Sequence, residues 1–504
     1  MGARFAPFAA TPNEVFLRMS LAVCTMVLGT TSGAGKSWLT TALCRYYARQ
    51  GLKVAPFKAQ NMSNNARVVA QGEIGSAQYF QALAARIQPD VRMNPLLLKP
   101  ERDTHSQVVL LGQVSPELTG LDWRSRSAKV WPVVAHALDA LRAENDVVVI
   151  EGAGSPAEIN LYDSDIVNMR VARHADARCL LVTDIDRGGA FAHLYGTWAL
   201  LPEADRKLLR GFVLNKFRGD ARLLAPGPQQ LEALTGVPLV ATLPMWWQHG
   251  LPEEDGVFDD RSRSNGTVTR TIAVVAYPRI SNLDEFQPLK NVPGVRLVWA
   301  RSPAELAGAD WVILPGSKNT SGDLAWLRQQ GLDAVVAAHA ARGGAVLGIC
   351  GGLQMLGEAL IDTHGIDGNA PGLGLLPLVT QFEERKTVQH RQSRFAERMA
   401  GPWAALAGVP VAGYEIHHGQ TLQHSAMAQA GDIAHAVLPD GLGWQNAAGN
   451  VLGLYLHGML EDPAVLRALF GASVPTLDAV FDGLADYLEP HFEPGFLQSL
   501  VAKP

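Results

Sequence analysis

Two short stretches carry residues whose types and spacing suit chemistry. In VLGICGGLQMLG, residues 346 to 357, Cys350 stands between an apolar run and two glycines. A strand that turns at once into a helix throws such a residue out at an exposed bend, and small neighbours such as Gly348 and Gly352 are what so tight a turn requires. A helix N-terminus behind the sulfur favours the thiolate, the nucleophilic form. The N–H of Gly351, with that of Gly316 at the end of the neighbouring apolar run, is placed to stabilise an oxyanion. A base is then needed, and His457 in GLYLHGML, at the end of a late apolar strand, is the best partner. His417 and His418, in GYEIHHGQ, compete for that role but fit a structural or substrate-facing part better.

The second stretch is GTTSGAGKS, residues 29 to 37, between the apolar LAVCTMVLG and the helix-compatible WLTTALCRYYARQG. Gly29, Gly33 and Gly35, with Thr30 between them, let backbone N–H groups and a helix N-terminus face a phosphate chain. Lys36 supplies charge to the outer phosphates, and Ser37 an oxygen to Mg²⁺. Five residues separate Gly29 from Gly35, one more than the usual pattern. ATP is the ligand this chemistry implies. Lys58, in PFKAQNM, is a candidate for the γ-phosphate or an acidic substrate, and Asn215, in GFVLNKFRG, for the adenine edge. Asp186 and Arg187 face the same crevice. Glu151, ending VVVIE, and Glu73, in QGEIGSAQ at the start of a helix, join Ser37 as candidate Mg²⁺ ligands. Arg67, Arg92, Lys99, Arg102, Arg170 and Arg173 are candidates to receive carboxylates.

These residues must be positioned by strand ends. Short Val/Ile/Leu runs near 22–28, 53–57, 146–150, 178–183, 211–215 and 238–242 alternate with helical patterns, so the first half reads as a parallel α/β sheet that binds ligand beyond its carboxyl edge. The polar, aperiodic DGVFDDRSRSNGTVTR, 255 to 270, reads as a linker. A second set of βα units follows from residue 271. The expected division is an extension at 1–20, with Met19 an alternative start, a synthetase domain at 21–254, a glutaminase-like domain at 271–468 and a helical tail at 469–504. Two domains suit 504 residues.

Composition narrows the function class. With 47% hydrophobic and 18% charged residues the chain reads as globular, and a net charge of −5 offers no general field for nucleic acid or anionic lipid. No apolar run reaches the ~18 residues of a spanning helix. The four cysteines show no metal-ligand or disulfide spacing, which fits a cytoplasmic protein, and no redox cofactor is implied.

The strings PFKAQNMSNN, GEIGSAQ, MNPLLLKP, EGAGSPAEINL, DIDRGGAFAHLYGT, LPGSKNTSGDL, GICGGLQMLG and YEIHHG resemble the cobyric acid synthase family over about residues 21 to 465. That resemblance implies a P-loop, dethiobiotin-synthetase-like domain joined to a class I glutaminase-like domain. It also implies ATP- and glutamine-dependent amidation of the b, d, e and g carboxylates of adenosylcobyrinic a,c-diamide. The related cobyrinic acid a,c-diamide synthases share both domains, but QNMSNN and INLYDSD favour the four-amide enzymes. ParA/MinD-like ATPase switches carry a lysine five positions before the loop lysine, where this chain has Thr31, and have no use for Cys350. Class I glutaminases usually carry His-x-Glu, whereas Met459 stands two residues after His457, so a Cys350/His457 dyad is expected.

Overall fold

The computed structural model describes residues 21–247, 249–252, 267–471 and 474–503. The extension at 1–20, with Met19, and all but the end of the 255–270 linker lie outside the described residues.

Six strands form the first sheet: β1 (Val23–Gly29), β2 (Val54–Phe57), β3 (Val147–Glu151), β4 (Arg178–Asp184), β5 (Leu209–Phe217) and β6 (Leu239–Pro244). Their order is β6-β5-β4-β1-β3-β2, all parallel. Strands covered by helices on both faces must be apolar throughout, which is why each appears in the sequence as a continuous Val/Ile/Leu run. The helix α1 (Lys36–Arg49) follows β1 directly, and its buried Leu39, Ala42 and Leu43 hold it against the sheet.

The second sheet contains β7 (Arg270–Val275), β8 (Val295–Ala300), β9 (Trp311–Leu314), β10 (Ala345–Ile349), β11 (His435–Leu438), β12 (Gly443–Gln445) and β13 (Val451–Leu454). The order is β8-β7-β9-β10-β13-β12-β11, parallel through β13 and antiparallel beyond it. A long antiparallel hairpin, Leu378–Arg394 with Pro410–Gln423, stands apart from this sheet.

Two features join the halves. The tail returns to the first domain: the helix Leu477–Leu488 buries Val480, Phe481, Leu484 and Leu488 in the same core as α1, and its Asp478 pairs with the buried Arg45. The short strands Ala66–Val69 and Gly72–Gly75 of the first domain also meet the hairpin, where Ala66 and Val68 share an apolar cluster with Tyr414 and Ile416.

Candidate active sites

Cys350 lies between β10 and the helix Gly351–Leu356, with φ 49° and ψ −103°. A non-glycine residue in this region is strained by about 1–3 kcal/mol, and such strain persists only where surrounding structure enforces it. Here the enforcement is close packing: a Cβ on Gly352 would lie 1.8 Å from the Leu314 carbonyl oxygen. The expected turn is therefore present, but the thiol is not exposed. Cys350 is 5% exposed, because the hairpin residues Ile416, His417 and His418 cover it and leave a cavity of about 60 Å³. The other three cysteines belong to the cores, where burial pushes the Cys24 thiol up to about 11.

His457 follows β13 and is 1% exposed. Its Nδ1 faces Glu285 Oε1 at 3.1 Å, and the second oxygen of Glu285 accepts the Gly458 N–H at 2.9 Å. Burial by itself would lower the imidazole pKa; Glu285 and Cys350 outweigh it and raise it to about 10. The expected dyad is thus a triad. Met459 is buried in the core, as its place in the sequence suggests, and the orienting carboxylate comes from 172 residues upstream. Gly316 and Gly351 both abut this site: a Cβ on Gly316 would lie 2.8 Å from His457 Cε1, and one on Gly351 2.8 Å from the Ser317 nitrogen. His417 is engaged on both ring nitrogens, by Gly419 O and Glu415, and stacks on Tyr455. Burial and Lys386 lower His418 to about 4.

The larger cleft, about 1050 Å³, opens beyond the carboxyl ends of β1, β3, β4 and β5. Gly33, Gly35, Lys36, Ser37, Lys58, Glu151 and Asn215 line it, together with Asp186 and Arg187. Gly29 and Thr30 do not. The Lys36 side chain lies across Gly29, whose absent Cβ would sit 2.9 Å from Lys36 Nζ, and Thr30 shares a hydrogen bond with Thr183 beneath the loop. Lys36 Nζ donates to Thr31 O and Gly154 O. Glu151 accepts from Ser37 Oγ and Lys58 Nζ, each at 2.8 Å, and from Gln81 Nε2. Asn215 braces the loop by donating to Ala34 O. Lys216, beside it, donates to Gly33 O and Asp184, a contact the sequence reading missed.

Two expectations need correction. Glu73 lies on the strand Gly72–Gly75, before the helix, and does not join Ser37 and Glu151; it is buried between Lys99 of its own domain and Lys386 of the other, which hold its carboxyl well below the usual range against the cost of burial. None of the six basic candidates lines the larger cleft. Arg67, Arg92 and Arg173 are paired with carboxylates, and Arg170 lies over Trp131.

Hard oxygen donors at Ser37 and Glu151, beside a phosphate loop, fit Mg²⁺, which takes one or two carboxylates and leaves its other positions to phosphate and water. Among the described residues, no group of three or more His, Cys, Asp or Glu could hold a metal ion by itself, and no helix is long and apolar enough to cross a membrane.

A strained Cys with a His/Glu partner on one α/β sheet, and a phosphate loop on another, define a glutamine amidotransferase joined to a nucleotide-binding domain. Residues 271–465 match the CobB/CobQ-like glutamine amidotransferase domain, and residues 25–252 the CobQ/CobB/MinD/ParA nucleotide binding domain. The chain is 81% identical over 479 residues to a cobyric acid synthase of Variovorax paradoxus (strain S110), covering 95% of this chain and 99% of that one. It is 80% identical over 480 residues to that of Polaromonas naphthalenivorans (strain CJ2), with the same coverage. To that of Methylibium petroleiphilum it is 65% identical over 492 residues, covering 95% and 96%. The chain belongs to the cobyric acid synthase family and is a glutamine-dependent amide-forming ligase.

Proposed function

We propose that this protein amidates the b, d, e and g carboxylates of adenosylcobyrinic a,c-diamide, using ATP and glutamine. The observation that carries the reading is the pairing of a Cys350–His457–Glu285 site with a phosphate-loop cleft in one chain whose near-full-length relatives are named cobyric acid synthases. Cys350 attacks the glutamine amide carbon, the Gly316 and Gly351 N–H groups stabilise the oxyanion, and His457 gives its proton to the departing ammonia. Water then hydrolyses the thioester to glutamate. A carboxylate is a poor electrophile because its leaving group would be oxide. Transfer of the γ-phosphoryl of ATP makes an acyl phosphate, which ammonia attacks with loss of phosphate. Lys36 and Lys58 neutralise the phosphoryl oxygens, while Ser37 and Glu151 would hold Mg²⁺, whose charge favours that transfer.

The test is incubation of purified protein with ATP, amide-labelled glutamine and the corrinoid acid. Four labelled nitrogens per corrinoid and equal consumption of ATP are expected; label confined to free ammonia would reject the reading.

Lys36→Ala should lower amidation by at least about a hundredfold yet leave basal glutamine hydrolysis within about threefold, since the loop and Cys350 lie on different sheets. Equal loss of both in a folded protein would contradict this division. Glu151→Gln should raise the magnesium concentration for half-maximal amidation by about tenfold. Glu73→Gln should leave that midpoint unchanged and lower the melting temperature, because breaking a buried ion pair costs about 3–5 kcal/mol. Magnesium titrations of the two variants decide between the carboxylates.

A further inference from the structure

We infer that Arg67, a side chain of the nucleotide-binding domain, is a positioning residue for the glutaminase triad, so that docking of one domain sets the catalytic geometry of the other. This rests on the reading of Cys350, His457 and Glu285 as a glutaminase.

Arg67 stands on the strand Ala66–Val69, and its side chain is 4% exposed. Its Nε donates to Asp284 Oδ2 at 3.1 Å, and Nη2 reaches the same oxygen. Nη1 and Nη2 donate to the two oxygens of Glu461 at 2.7 and 2.5 Å. Asp284 directly precedes Glu285, which orients His457. Glu461 belongs to the turn that follows His457, where its own N–H donates to Gly458 O at 3.0 Å. One guanidinium therefore ties together the two segments that carry the base and its carboxylate.

A second line of contact reaches the same imidazole. Arg67 lies 5.2 Å from the centre of the Tyr414 ring, and Tyr414 stacks on His457 at 5.4 Å with 20° between planes. Tyr414 and His457 also exchange backbone hydrogen bonds of 3.1 and 2.9 Å. The flanking residues hold the turn in register: Ala66 N–H donates to Asn282 Oδ1 at 2.9 Å, and Leu283 N–H to Asn65 Oδ1 at 3.0 Å.

The chemistry calls for arginine. Two carboxylates facing one buried cation repel each other once it is removed, and only a planar fork serves both in fixed directions. Without it the turn bearing Glu285 and the turn after His457 lose their common anchor, and a shift of about 1 Å at a catalytic group can cost about a hundredfold in rate.

The test compares Arg67→Met and Arg67→Lys in the full chain, reading glutamine hydrolysis and ammonium-driven amidation separately. For Arg67→Met, kcat for glutamine hydrolysis should fall about 10- to 100-fold with KM within about threefold, while ammonium-driven amidation stays within about threefold. Arg67→Lys should recover part of the loss, since charge remains but the fork does not. Adding Arg67→Met to Glu285→Gln should cost less than about threefold more, because both changes act on one imidazole. If Arg67→Met does not fold, Glu461→Gln, which leaves Arg67 paired with Asp284, is read in the same way and should lower only the glutaminase kcat. Unchanged glutamine hydrolysis, an equal fall in both activities, or fully additive losses with Glu285→Gln would overturn the inference. Glutamine hydrolysis surviving in Cys350→Ala would instead overturn the glutaminase reading on which it rests.

Discussion

Cys350→Ala is expected to abolish glutamine-dependent amidation, to below about a thousandth of the native rate, while ammonium salts at mildly alkaline pH still support synthesis. The reason lies in the division of labour between the sheets. The thiol's role is to release ammonia, and an acyl phosphate in the distant cleft reacts with ammonia from any source. Mildly alkaline pH helps because it leaves more of the ammonia unprotonated and nucleophilic. The variant should fold. Alanine keeps the Cβ, so the backbone at φ 49° is no more strained than before, and the native sulfur makes only a weak contact, 3.7 Å from the Ile416 carbonyl oxygen. Parallel assays with glutamine and with ammonium chloride check this. Full glutamine-dependent activity in the variant would remove the function assigned to the second domain, and loss of the ammonium route would show that Cys350 also serves synthesis.

Much of this architecture was legible in the sequence for a physical reason. The six strands of the first sheet were located to within about two residues because each is buried on both faces and therefore reads as an apolar run. The turn at Cys350 was legible because Gly348 and Gly352 are demanded locally, by atoms within a few residues and one neighbouring strand. Features that depend on distant pairing were not. Cys350 was read as exposed because the hairpin that covers it begins some thirty residues later and carries no mark of where it folds. Glu73 was assigned to magnesium from its place near a helix start, but its partner Lys386 is 313 residues away and belongs to the other domain. The periodicity of Leu477–Leu488 shows an amphipathic helix, yet nothing in that period says its apolar face returns to α1. Asn215 illustrates the intermediate case: its place at a strand end beside the loop was correct, while its amide is engaged with Ala34 O.

Glu285 was hidden for the same reason, and it carries the second large effect. Glu285→Gln should lower kcat for glutamine hydrolysis by roughly a thousandfold at neutral pH, with KM for glutamine nearly unchanged and ammonium-driven amidation retained. The native carboxylate accepts two N–H groups, from His457 Nδ1 and Gly458, one on each oxygen. Accepting at Nδ1 leaves Nε2 free to exchange a proton with the Cys350 thiol. An amide offers one acceptor oxygen and one NH₂ in those two places, so it must oppose a donor with a donor or force the other imidazole tautomer, and the proton relay fails either way. Stability should follow the same group. Burial opposes the charged imidazole, but Glu285 and Cys350 together raise His457 to about 10, above its unfolded value near 6.5. The stability this adds is complete below about pH 6.5 and is lost as the pH rises through about 10. The melting-temperature gap between native protein and Glu285→Gln should therefore be wide at pH 7 and narrow toward pH 10, as calorimetry at the two values can measure. A gap that widens toward pH 10, or a variant with native glutaminase kcat, would mean that Glu285 does not hold the protonated imidazole.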